Sequence, residues 1–310
     1  MIYTVTLNPA VDKTVRIPGF AAGRVHRVED IRLDPGGKGV NVSKAIQGLG
    51  GRSVAMGILG GAEGRWIRGR LEAMGLEGDF LLTREPTRTN LKIIDPLSRA
   101  TTDVNEPGKP VRPAILARLL ARLEARCGAG DVVVLSGKAP PGTDDTLYAQ
   151  WCARLRQKGA RVCVDADGPL LQYAAREKPD VIKPNEEEFA RLTGKPGMGL
   201  PDIAREALAL CASGVGLVAV SLGERGALFA HGVRVLHAQG LRVPVVSTVG
   251  AGDSMMAALA LWLERGEPLE QMARTAVAAG AAAVMGDSPG VLSPETVAML
   301  RKQVVLEEII

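Results

Sequence analysis

Asp131-Val132-Val133-Val134-Leu135 and Arg161-Val162-Cys163-Val164-Asp165 are short, almost unbroken apolar runs, and Gly216-Leu217-Val218-Ala219-Val220 is a third. A strand with one wet face alternates apolar and polar residues; a run without that alternation is covered on both faces. Helix-like stretches at 144–158, 170–176, 185–192 and 201–212 separate these runs, with a further apolar pair at Val181-Ile182. Strand and helix repeated in this order predict parallel strands joined by crossovers. The expected fold is therefore α/β, a doubly wound, mostly parallel sheet with helices on both faces.

Working outward, alternating segments around His231-Gly232 predict a hairpin, Val243–Val246 a further strand, and 253–264, 269–285 and 294–301 three closing helices. Toward the start, Ile2–Leu7 and Ser53–Leu59 read as buried strands around a helix at 39–49. Extended segments at 13–17, 25–33 and 90–95 are bounded by Pro and Gly and read as strands projecting from the main sheet. They predict a small β-strand lid, contributed by about 12–33 and 88–104, on a single domain spanning 1–310. No long Gly/Ser linker, low-complexity block or internal repeat interrupts it.

Composition narrows the function. With 38 basic and 34 acidic residues in 310, the net charge of +4 predicts no surface that coats nucleic acid. Aromatics at 3% argue against stacked-base platforms. Cys127, Cys152, Cys163 and Cys211 form no C-x-x-C pair and read as reduced core thiols. The opening Met1–Val5 lacks a basic segment followed by an apolar run, and the apolar stretch at 276–285 is too short to span a bilayer. A cytoplasmic protein is expected.

In open α/β sheets, ligands collect beyond the carboxyl ends of the strands, where helix N-termini present free N–H groups. Ser247-Thr248-Val249-Gly250-Ala251-Gly252-Asp253-Ser254 opens a helix there. Its glycines admit an anion close to the backbone, and Asp253 is positioned to take a proton from a hydroxyl nucleophile; taken alone, Asp253 reads first as an N-cap, and it is the other segments that favour the base. Asp34-Pro-Gly-Gly-Lys-Gly-Val-Asn41 opens the first helix and suits a polar ligand lying on bare backbone. Gly37-Lys38 is followed by Gly39, so this is no Walker loop, and no G-x-G-x-x-G occurs in the chain. Lys183-Pro-Asn-Glu-Glu-Glu-Phe189 follows a strand; its acids complement a helix dipole, and Asn185 with Glu188, three apart, share a face fit for a hydrated magnesium. Ser221-Leu-Gly-Glu-Arg-Gly226 is a tight turn after the next strand.

Taken together, these segments resemble the ribokinase-like (PfkB) carbohydrate kinases over nearly the whole chain. Gly-Gly-Lys-Gly-x-Asn near the start and Thr-x-Gly-Ala-Gly-Asp near the end are that family's two signatures. Thr6-Leu-Asn-Pro-Ala-Val-Asp12-Lys13-Thr14, Thr87-Arg88-Thr89-Asn90 and Ser136-Gly137 resemble its 1-phosphofructokinase and tagatose-6-phosphate kinase branch. The resemblance implies phosphoryl transfer from Mg2+·ATP to a phosphorylated ketohexose, with fructose 1-phosphate the first acceptor, tagatose 6-phosphate the second and fructose 6-phosphate the third. It implies Asp253 as catalytic base and the amides of Gly250, Ala251 and Gly252 as an anion hole. Asp12, Gly37, Lys38, Asn41 and Asn90 would hold the sugar, and Arg88 its existing phosphate. Lys183, Asn185, Ser221, Gly223, Gly226 and Thr248 would face the nucleotide, and Asn185 and Glu188 the magnesium. A homodimer through the lid strands is also implied.

Two departures stand out. The branch commonly reads Ser-Gly-Ser-Leu-Pro where this chain has Ser136-Gly137-Lys138-Ala139-Pro140, and Lys138 is expected to add a second cation for the sugar's phosphate. Ser247 stands where an Asp is often found, which leaves a monovalent-cation site open. Two rival readings of the sequence exist. Gly286-Asp-Ser288-Pro-Gly290 fits the hydrolase pattern G-x-S-x-G, but Pro289 has no N–H for an oxyanion hole, no His follows, and the segment trails a helix-like run. A sugar-phosphate sensor on the same scaffold would keep the pocket and lose the base, whereas Asp253 is present.

Overall fold

A computed structural model of the chain describes residues 1–98 and 100–310; Arg99, inside the stretch expected to supply lid strands, lies outside the described residues. The strands are β1 (Ile2–Thr6), β2 (Ala10–Arg16), β3 (Asp30–Gly36), β4 (Ser53–Gly60), β5 (Glu77–Thr83), β6 (Arg88–Asp95), β7 (Ala100–Asn105), β8 (Val132–Ser136), β9 (Arg161–Asp165), β10 (Val181–Ile182), β11 (Leu217–Ser221), β12 (Ala227–His231), β13 (Arg234–Ala238) and β14 (Leu306–Glu308). The helices are α1 (Lys38–Gly48), α2 (Gly61–Ala73), α3 (Pro113–Arg126), α4 (Leu147–Gln157), α5 (Gly168–Arg176), α6 (Glu186–Thr193), α7 (Leu200–Ala212), α8 (Ala251–Arg265), α9 (Leu269–Met285) and α10 (Pro294–Arg301).

Ten strands form the main sheet in the order β14-β13-β12-β11-β10-β9-β8-β1-β4-β5. It is parallel from β11 to β5 and antiparallel from β11 outward to β14. The chain starts at β1, winds out to β5 on one side, then returns to β8 on the other. The order therefore reverses at β1, and a crevice opens beyond the carboxyl ends of β1 and β8. Register places Thr6, Ser136 and Asp165 side by side on that edge.

The unbroken apolar runs divide between two cores by the two-residue period of a strand. Val133, Leu135, Val162 and Val164 pack with α3, α4 and α5 through Leu119, Leu123, Trp151, Leu155 and Leu171. Val132, Val134 and Cys163 face the opposite layer, with Ile46 of α1, Leu259 of α8, Ala276 of α9 and Leu300 of α10. Burial on both faces is what removes polar residues from these strands. Cys127, Cys152 and Cys163 are buried and Cys211 half-buried, all as free thiols. Among the described residues no helix is long and apolar enough to cross a membrane.

A second, four-stranded sheet, β3-β2-β6-β7, is built from the segments expected to supply the lid. β3 begins at Asp30, so the expected extended stretch at 25–33 is strand only in its second half. The expected strand at Val243–Val246 does not form. Pro244 lacks the N–H that a ladder needs, Val245 and Val246 are exposed, and the Val246 amide bonds instead to the Val284 carbonyl.

Candidate active site

The Gly-rich opening of α1 is a backbone requirement. Gly37, its N-cap, has φ 116°, and a Cβ there would lie 2.6 Å from Thr6 Cγ2, so the chain turns at this point only as glycine. With the helix starting at Lys38, a three-residue spacing puts Lys38, Asn41 and Lys44 on one face. Asn41 donates through Nδ2 to Asp253 Oδ2 at 2.9 Å. Buried Lys44 donates to Asn41 Oδ1 at 3.0 Å, to the Pro35 carbonyl at 2.6 Å and to the Pro289 carbonyl at 3.1 Å. Lys44 therefore fixes which way the Asn41 amide points, and its own pKa is brought down to about 8, chiefly by burial.

Asp253 lies in the first turn of α8, whose N-cap Gly250 has φ 89° and packs on Gly290. Its carboxyl is pushed up to about 6, first by burial and then by the charge of Asp165, while Lys38, Asn41 and Lys183 pull the other way. A carboxyl with a pKa in that range is largely ionised at neutrality yet basic enough to take up a proton, which suits it to proton exchange. A Cβ on Gly252 would come 3.2 Å from Lys183 Nζ, so the amides of the helix start and this ammonium face a common space.

Asp165, at the end of β9, is fully buried and binds Lys38 Nζ at 2.8 Å and Lys183 Nζ at 3.4 Å. Burial alone would push its pKa up, but Lys183 and Lys38 outweigh it and hold the carboxyl below the usual range. Lys38 is held above its usual value: burial opposes this, and Asp165 followed by Asp253 overrides it. Neither Asp165 nor Lys44 stands out as a site residue in the sequence. The signal available for Asp165 was a carboxylate ending an apolar strand at the ligand-binding edge.

Asp12 on β2 and Asn90 on β6 sit opposite each other in the lid, and Asn90 Nδ2 donates to Asp12 Oδ1 at 2.8 Å. Gly36 abuts the Asp12 carboxylate, where a Cβ would not fit. These lid residues line a pocket of about 230 Å3 with Asp34, Ser247, Val249 and Pro289. Ser288 of the hydrolase-like pentapeptide donates to Asp34, and the segment follows α9 rather than a strand. Arg88 turns elsewhere. Its guanidinium bonds the Asn8 carbonyl at 3.1 Å, Asn90 Oδ1 at 3.0 Å and the Glu106 carbonyl at 2.7 Å, and it lines a separate cleft beyond Asn8 and Pro9. Lys138 is exposed and lines none of these cavities; its neighbour Gly137 packs against the stem of Lys38.

A larger cavity, about 910 Å3, brings Asn185, Ser221, Gly223, Gly226, Thr248, Ala251 and Gly252 together. Its floor is apolar, with Val243, Met255, Val277 and Val284. None of those four was legible as a site residue, because apolar side chains carry no chemical signature. Asn185 and Glu188 form a capping box: Asn185 Oδ1 accepts from the Glu188 amide at 2.8 Å, and Glu188 Oε2 accepts from the Asn185 amide at 2.9 Å. No cluster of three or more metal-ligating side chains occurs among the described residues.

A large cleft, reaching Ala251 and Gly252, and a small polar pocket, reaching Ser247 and Val249, thus flank the start of the helix that carries one buried carboxylate, which defines an enzyme of the sugar-kinase class, a phosphotransferase acting on an alcohol. Residues 4–295 match the pfkB family carbohydrate kinases, and the chain belongs to that family. It is 40% identical over 307 residues to a 1-phosphofructokinase of Rhodobacter capsulatus, covering 99% of this chain and 97% of that one. To a 1-phosphofructokinase of Xanthomonas campestris it is 38% identical over 280 residues, covering 89% and 88%. Among solved structures, the phosphofructokinase-2 of Escherichia coli in complex with potassium superposes with a TM-score of 0.93 at 30% identity, covering 97% of this chain and 98% of that one.

Proposed function

We propose that this kinase transfers the γ-phosphoryl group of ATP to a free hydroxyl of a phosphorylated ketohexose, with fructose 1-phosphate as acceptor and fructose 1,6-bisphosphate as product. The observation that carries this reading is the Asn41–Asp253 hydrogen bond, which joins the Gly-rich turn of α1 to the start of α8 at one buried base. Asp253 takes the hydroxyl proton, the freed oxygen attacks the γ-phosphorus, and the bond to the bridging oxygen breaks as ADP leaves. Such a transfer is dominated by positioning and charge neutralisation. The amides of Gly250, Ala251 and Gly252 and the Lys183 ammonium would meet the charge on the moving group. Asp12, Asn90, Gly37, Lys38 and Asn41 would hold the sugar.

The nucleotide would occupy the 910 Å3 cleft, its base on the apolar floor and its phosphates toward Lys183. Magnesium, held through water by Asn185 and Glu188, would supply charge neutralisation for the nucleotide's phosphates. It keeps several waters and needs few protein ligands, so the donor set fits an outer role: Glu188 commits only Oε2 to the capping box, and its charge is felt at Lys38. Arg88, and Lys138 from the neighbouring strand end, would serve the acceptor's existing phosphate. A homodimer is proposed through the lid, whose strand β7 is exposed along its length and whose Ile31, Leu33 and Val104 are exposed apolar side chains. The free thiols and the demand for ATP support a cytoplasmic location.

The test is ADP release, coupled to a reporter enzyme, with fructose 1-phosphate, tagatose 6-phosphate and fructose 6-phosphate ranked by kcat/KM. Fructose 1-phosphate ranking first is the expected result. Binding of all three without turnover would establish the sensor instead.

A further inference from the structure

The cleft beyond Asn8 and Pro9 measures about 680 Å3 and shares no lining residue with the 230 Å3 lid pocket or the nucleotide cleft. Five of its lining side chains are cations, Arg84, Arg88, Lys109, Arg112 and Arg118, against one carboxylate, Glu85. Arg88 is hydrogen-bonded as described; the side chains of the other four make no ion pair or hydrogen bond among the described residues. That is unusual even on the same helix: Arg122 and Arg126, one and two turns after Arg118, both pair with Asp79, at 2.7 and 2.9 Å. Arg112 is the N-cap of α3, so the positive end of that helix opens onto the same cleft. Unpaired like charges around one concavity repel each other and focus a positive potential into it, which an anion relieves.

We propose that this cleft is a second anion site, touching the acceptor site only at Arg88, which takes a small molecule bearing two phosphate groups and weakens acceptor binding by drawing Arg88 away from it. The charge count sets the class: a phosphate monoester carries at most about two charges, so two such groups match the four free cations. Guanidinium forks match phosphate oxygens in geometry as well as charge. The volume lies within the range of small-molecule sites, roughly 300–1,000 Å3. Transmission follows from two hydrogen bonds, Arg88 Nη1 to Asn90 Oδ1 at 3.0 Å and Asn90 Nδ2 to Asp12 Oδ1 at 2.8 Å. A phosphate that draws Arg88 into the cleft removes the donor that orients the Asn90 amide, and with it the hold on Asp12. The effect on the acceptor rests on the proposed kinase reading; the binding itself does not.

The test uses the full chain with inorganic pyrophosphate as probe. Calorimetry without metal should show saturable binding that weakens by roughly tenfold or more in Arg112→Glu/Arg118→Glu and in Arg84→Glu/Lys109→Glu, an ordinary size for losing charged phosphate contacts. These positions are exposed, and melting curves check that both variants fold. In assays at constant free magnesium, the probe should raise the wild-type acceptor KM roughly fivefold, within the range of ordinary couplings, and leave the ATP KM unchanged. Both variants should lose that response while keeping the wild-type acceptor KM without probe. Undiminished binding in the variants would place the probe in the active site and overturn the proposal. So would a raised acceptor KM in the variants without probe, which would make the cleft part of the acceptor pocket. Displacement of the probe by fructose 1,6-bisphosphate identifies a sugar bisphosphate as occupant, and displacement by ADP a nucleoside diphosphate; displacement by neither rejects the assignment.

Discussion

Replacing Asp253 with Asn should make the protein both slower and more stable, with the gain in stability depending on pH. The side chain is 7% exposed, and its pKa is pushed up from 3.8 to about 6. Between those values the folded protein binds a proton that the unfolded chain does not. The cost of holding the ionised group is therefore absent below about pH 4, grows from there, and is fully present above about pH 6. Two pKa units correspond to about 3 kcal/mol. At roughly 2.1 cal/mol/K per residue, unfolding 310 residues carries about 0.65 kcal/mol/K, so the variant should melt roughly 5 °C above wild type at pH 8. The two melting curves should converge near pH 4. The amide keeps an oxygen for the Asn41 NH2 but cannot accept the hydroxyl proton, so kcat should fall roughly 10²–10⁴-fold. Melting temperature measured from pH 4 to 8 beside steady-state kinetics checks both halves. A constant offset between the curves would refute the buried-charge argument, and kcat above about a tenth of wild type would refute the base.

Further tests act on the groups around that carboxylate. Lys44→Met releases the Asn41 amide, so Asp253 loses a hydrogen bond that lowers its pKa, and the acid limb of the kcat–pH profile should move up from about pH 6. Asp165→Asn removes a neighbouring negative charge, and the same limb should move down; a shift in the same direction for both variants would contradict the electrostatics. Gly252→Ala meets only the flexible end of Lys183, so melting should hardly change while kcat falls at least about tenfold, because the methyl group fills the phosphoryl position. Gly250→Ala, at φ 89° and 2.9 Å from the Gly290 nitrogen, should instead cost stability of about 1–3 kcal/mol in denaturant titrations. Lys138→Ser should raise the acceptor KM several-fold with kcat unchanged, and an unaltered KM would remove Lys138 from the site.

The parallel sheet was legible because β8, β9 and β11 are buried on both faces, and burial on both faces leaves no polar alternation in the sequence. Valines misled where exposure was the deciding fact, as at Val245 and Val246. Helices α2 and α3 and strands β5 and β14 went unread, and β7 was read only as part of the lid stretch at 88–104. α2 carries Gly61, Gly64 and Gly69 with only three buried residues, and β7 is exposed throughout, so neither shows a clear apolar period. In the site, glycines announced themselves because turns and close approaches demand them. Asp165 and Lys44 did not, since their roles arise from partners more than a hundred residues apart, Asp165 with Lys38 and Lys44 with Pro289. Arg88 was legible as a phosphate ligand in type, but the cleft it faces follows from the path of 106–112, which sequence spacing does not encode.

The four free thiols carry a practical consequence. Cys163 is fully buried and held far above its ordinary pKa by burial, and Cys152 is pushed up to about 12 for the same reason. The reactive species is the thiolate, so both sulfurs stay inert toward oxidants and alkylating reagents for as long as the strands and helices around them remain closed. The rate at which a thiol reagent labels Cys163 is then a clock for transient opening of the central sheet, readable by mass spectrometry without installing any probe.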